Sequence, residues 1–118
     1  MVCLVASLST GKGTWVQVSK LIQDGEWEKI FLITNSFGKE KFTNTKNAQM
    51  IIIEDNKEVE EIREKIKSCL KDKLTGTEIA VNIISGSGKE HTAILSAILQ
   101  LGYGMRFMTA TSEGVKEI

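Results

Sequence analysis

At 118 residues, 42% of them apolar and 25% charged, the chain has the length and composition of a single globular domain spanning residues 1–118. Its fifteen basic and fifteen acidic side chains cancel, which excludes a long-range positive field for duplex DNA or RNA and leaves a local pocket to hold any charged ligand. Two distant cysteines with no CxxC pair argue against a disulfide framework or zinc site, and without a basic leader or an apolar run near ~20 residues we expect a cytoplasmic protein with no membrane partner.

The chain opens on VCLVASL (2–8), read as a first strand with Cys3 as a buried, reduced thiol. The loop LSTGKGTW (8–15) leads into a helix in which Trp15, Val18, Leu21 and Ile22 recur at helical spacing. A second strand, KIFLIT (29–34), is followed by the polar connection NSFGKEKFTNTKN (35–47), which has room for a short helix. The third strand is AQMIIIE (48–54), and the helix after it carries the stripe Val59, Ile62, Ile66 and Leu70. EIAVNII (78–84) is a fourth strand, handing over through SGSGKEHT (85–92) to a helix that Gly102 ends. MRFMTA (105–110) is the fifth strand. Several of these strands are continuously apolar, as parallel strands covered on both faces must be.

This alternation predicts an α/β Rossmann-like three-layer sandwich, with a mostly parallel five-stranded sheet in the order 3-2-1-4-5. In that order strands one and four are neighbours, and the two Gly-Lys loops leave from the point where the winding reverses. Neither loop is a nucleotide motif of a standard kind. The Walker A spacing puts Ile83 and Ala6 where a glycine is required, and Glu90 and Gly13 where the magnesium hydroxyl is required. The dinucleotide fingerprint fails at Val16 and His91, and Asn35 stands where an acid would hold a ribose. No cofactor and no metal is expected.

Residues 85–88 can still present backbone N–H groups to an anion at the start of a helix, with Lys89 at the rim and Thr92 one turn on. The competing reading is a tight turn with a solvated lysine. His91, the single histidine, is either a general acid or base or a helix-surface residue. Trp15 suits base stacking or the core, and Trp27 suits packing. Glu54 and Asp55 read as a loop with an N-cap before they read as a metal pair. The fourth-strand helix is apolar around much of its circumference, which predicts surface left over for a dimer interface.

The stretch VNIISGSGKEHTAILSAI, with SLSTGKGTW after the first strand, resembles the ligand loops of the CARF (CRISPR-associated Rossmann fold) family. The resemblance implies a homodimer that binds a cyclic oligoadenylate, a second messenger of type III CRISPR defence. It further implies a sensor, a sink or a ring nuclease. In the nuclease, Ser9 or Thr10 orients the ribose 2′-OH while Lys89 and the N–H groups of residues 86–88 stabilise the phosphorane charge. Gly11, Lys12, Gly13, Trp15, Ser85, Gly86, Ser87, Gly88, His91 and Thr92 complete the expected ligand contacts. A non-catalytic regulatory subunit and an enzyme acting on a phosphorylated small molecule are the alternatives.

Overall fold

The computed structural model describes residues 1–9 and 12–118, without the Lys12 side chain. The strands are β1 (Val2–Leu8), β2 (Trp27–Thr34), β3 (Gln49–Ile52), β4 (Glu78–Asn82), β5 (Gly104–Thr111) and β6 (Gly114–Glu117). The α-helices are α1 (Trp15–Asp24), α2 (Ser36–Lys41), α3 (Val59–Leu70) and α4 (Gly88–Gln100). The sheet order is β3-β2-β1-β4-β5-β6. The first five strands are parallel, as expected, and β6 is added antiparallel to β5.

Strand alternation sorts the core into two halves. From β1, Cys3 and Val5 pack with Ile62, Ile66 and Leu70 of α3 and with Ala93, Ile94, Ala97 and Ile98 of α4. Leu4, Ala6 and Leu8 face the opposite way, onto Trp15, Val18, Leu21 and Ile22 of α1. Each fully buried leucine or isoleucine contributes roughly 1.5–3 kcal/mol relative to exposure. The same alternation aims Ser7 and Ser9 towards the α4 side. This parity sets up the site.

Three sequence expectations change. The sheet has six strands rather than five, because GVKE turns back at Gly114, where φ is +115°. A turn so short carries no apolar run to announce it. Ile83 and Ile84 leave β4, since Asn82 Oδ1 accepts the Ile84 N–H at 3.1 Å and bends the chain. The apolar circumference of α4 is largely absorbed within the chain, where α3 packs alongside it; Leu99 stays 62% exposed. Among the described residues, no helix is long and apolar enough to cross a membrane.

Candidate functional site

β1 and β4 pair in parallel, Leu4 opposite Ala80 and Ala6 opposite Asn82. Their following segments therefore leave the same sheet edge, while α1 and α4 go to opposite faces. This is the crevice in which open α/β sheets bind ligands.

The two segments are tied together by hydrogen bonds. The Ser9 N–H donates to Ser85 Oγ at 2.9 Å, and the Ser7 hydroxyl donates to the Ser85 carbonyl. That carbonyl also lies 2.7 Å from His91 Nε2. A carbonyl only accepts, so Nε2 carries the proton. The Ser9 hydroxyl donates to Glu90 Oε1 at 3.2 Å, and the Trp15 indole N–H donates to the Ser9 carbonyl at 2.7 Å. Ser9 is thus held at its nitrogen, its hydroxyl and its carbonyl. It is a fixed point.

At the start of α4, Ser87 and Glu90 form a capping box. The Ser87 N–H donates to Glu90 Oε1 at 2.9 Å, and the Glu90 N–H donates to Ser87 Oγ at 3.3 Å. The carboxylate therefore takes the favourable end of the helix dipole, where the sequence suggests a phosphate. The N–H groups of Gly88 and Lys89, in the first turn of α4, have no intrahelical acceptor. Glu90 is 5% exposed, and its second oxygen, Oε2, is buried with no hydrogen-bond partner among the described residues. A buried charged acceptor left unmade costs more than the roughly 1–3 kcal/mol of a neutral one. Gly86 roofs this group at φ +102°; a Cβ there would stand 3.2 Å from His91 Nε2 and 3.5 Å from Glu90 Oε1. Only glycine adopts that backbone without strain so close to both side chains.

The remaining expected residues fall into three groups. Ser9, Ser85, Gly86, Ser87, Gly88 and His91 meet at the crevice, Ser85 buried and residues 86–88 exposed. Lys89 borders it, its ammonium donating to the Asp55 carbonyl at 2.8 Å. Thr92 is exposed and donates to the Gly88 carbonyl at 2.7 Å. Trp15 is a core residue, 8% exposed and packed against Phe37 and Phe42. Gly13 is exposed in the short 3-10 turn Lys12–Thr14. Thr10, Gly11 and the Lys12 side chain lie outside the described residues.

Two site residues escape the sequence reading, Ser7 and Glu90. Glu90 had a signal, the Ser-x-x-Glu spacing of a capping box. Ser7 had weaker notice, a hydroxyl at a core-facing position of a buried strand. Glu54 forms an exposed ion pair with Lys57, and Asp55 Oδ2 accepts from Asn35 Nδ2 at 3.4 Å. Among the described residues, no three His, Cys, Asp or Glu side chains cluster as a metal site would require. A groove of about 480 Å³ lined by Trp27, Lys29, Lys46 and Asn47 lies at the opposite end of β2, where this architecture does not place its ligands. No protein-family model matches the chain, and no curated protein sequence matches it.

Proposed function

We propose that the protein is a cytoplasmic homodimer that binds a cyclic oligoadenylate of type III CRISPR signalling across its two-fold axis and cleaves the ring without metal. The observation that carries this reading is the bond from the Ser9 N–H to Ser85 Oγ, which joins the two loops into one cradle at the switch point. Ring phosphates sit against the Gly88 and Lys89 N–H groups and the Lys89 ammonium, a combination suited to anions. Cyclic RNA carries its own nucleophile. Holding a ribose 2′-OH in line with the adjacent phosphorus supplies the positional part of the rate enhancement, and Lys89 stabilises the phosphorane charge. Lys89 reaches the ligand by giving up one solvent-exposed bond to the Asp55 carbonyl.

The dimer reading now leans on a different surface from α4. Ile84 is 47% exposed beside the second loop and lines a shallow depression with Phe107 and Met108. A two-fold contact there brings both copies of the cradle together.

A second reading, a sensor without catalysis, draws support from hydroxyls already committed. Ser9 Oγ donates to Glu90 and Thr92 Oγ1 to Gly88, so neither is an idle donor. Incubation with cyclic tetra- and hexa-adenylate in chelator, followed by chromatography, separates the readings. Linear product carrying a 2′,3′-cyclic phosphate is the expected result. Binding without product leaves the sensor, and binding of neither ring overturns both.

A further inference from the structure

We infer that Glu90 is the general base of ring cleavage, its Oε2 taking the proton of the attacking ribose 2′-OH; this rests on the ring-nuclease reading above. The starting point is the unpartnered oxygen. Oε1 is fully engaged by the Ser9 hydroxyl and the Ser87 N–H, so the carboxylate is oriented from both loops. Oε2 of the same carboxylate is buried and, among the described residues, has no hydrogen-bond donor. A carboxylate so placed calls for a hydrogen-bond donor from a ligand.

The surroundings say which kind. The N–H groups of Gly88 and Lys89, on the same first turn of α4 as the carboxylate, favour an anion beside it. A ligand must therefore present a neutral donor and a phosphate side by side. A ribose 2′-OH beside its 3′-phosphate does so. The Gly86 turn, exposed and without a side chain, lies next to Oε1 and Cδ of this carboxylate. Because Oε2 is buried, the 2′-OH reaches it when the neighbouring exposed turn moves aside, with Oε1 kept on Ser9 and Ser87.

The step balances. The 2′-O–H proton passes to Glu90 Oε2, and the 2′-oxygen forms a bond to phosphorus. The P–O5′ bond breaks, and its electron pair leaves on the 5′-oxygen, which takes a proton from water. The products are a 2′,3′-cyclic phosphate and a 5′-hydroxyl, and Glu90 returns its proton to solvent. No side-chain nucleophile takes part.

The titratable residues beside Glu90 are Lys89 and His91, which flank it on α4. From the ends of β1 and β4 come the Ser9 hydroxyl and the Ser87 N–H, and the Lys12 side chain lies outside the described residues. The test is Glu90→Gln, which keeps an acceptor for Ser9 and Ser87, assayed for ring binding, cleavage and the pH dependence of cleavage. Binding is retained, cleavage falls ~10²–10⁴-fold, and the one-proton acid limb of the wild-type profile disappears. The acid limb persists in His91→Asn. Cleavage within about tenfold of wild type, or loss of binding together with cleavage, makes Glu90 a structural cap and overturns the inference. The wild-type profile is a check that needs no variant: a rate unchanged across the acid range also overturns it. Wild-type protein that binds the ring without cleaving it refutes the base while leaving the ligand reading intact. Failure to bind any ring refutes the ligand reading itself.

Discussion

Lys89 and Glu90 are chain neighbours on the first turn of α4, with opposite charge and opposite direction. Lys89 projects to the rim, where its ammonium meets the Asp55 carbonyl, whereas Glu90 folds back beneath Gly86. Replacing Lys89 by alanine removes the positive charge without touching the capping box. Cleavage should fall by ~10²–10³, as deletion of one well-placed donor does, with the melting temperature unchanged. Single-turnover rates and a thermal melt measure the two effects, and Lys89→Arg restores part of the rate. A variant that cleaves as fast as wild type removes Lys89 from the mechanism. At this scale the sequence disclosed the loops better than their roles. Glu90 is first met as the residue that breaks the Walker pattern, because a motif count records what is missing and not what the substitute bonds to. Trp15 could stack or pack from its spacing alone. Burial against Phe37 and Phe42 makes it packing.

α4 and the β5–β6 hairpin show what element-level patterns hold and omit. A helix apolar on several faces announces burial on several faces, yet the second partner of α4 is α3 of the same chain. Periodicity gives the face and not the neighbour. The hairpin was hidden for another reason: Val115 is the one apolar residue of GVKE, too little for a strand pattern. Its register is supported by Arg106, which donates from Nε and Nη2 to Glu117 Oε1 at 3.0 and 2.6 Å. Hydrogen bonding to Arg106, reinforced by its charge, holds the Glu117 carboxyl below the usual range. Its folded-state value is thus below the unfolded one. The contribution is present above the unfolded value and is lost as pH falls through the folded value. The pair is exposed, so its effect on global stability is small. The protection factors of the amides of residues 114–117, which remove the intrinsic pH dependence of exchange, should fall on acidification and fall less in Arg106→Gln. An acid response identical in that variant would show that the pair does not hold the hairpin.

Across the whole molecule the sheet order was the most legible feature. Continuously apolar strands alternating with helices, and right-handed crossovers, leave few arrangements, and 3-2-1-4-5 is the one adopted before β6 is appended. That order alone brings the ends of β1 and β4, and with them Ser9 and Ser85, to one crevice. The hydrogen bonds that fuse them depend on which face each serine takes, a matter of register that composition does not carry. The central claim is that two such cradles share one cyclic ligand. Titration of the protein with non-cleavable 2′-O-methyl cyclic tetra-adenylate, followed by calorimetry with sedimentation in parallel, tests it most directly. The account predicts one ring bound per two chains, by a dimer that Ile84→Asp converts to a non-binding monomer. Saturation at one ring per chain, or binding undiminished in a monomer, would contradict it.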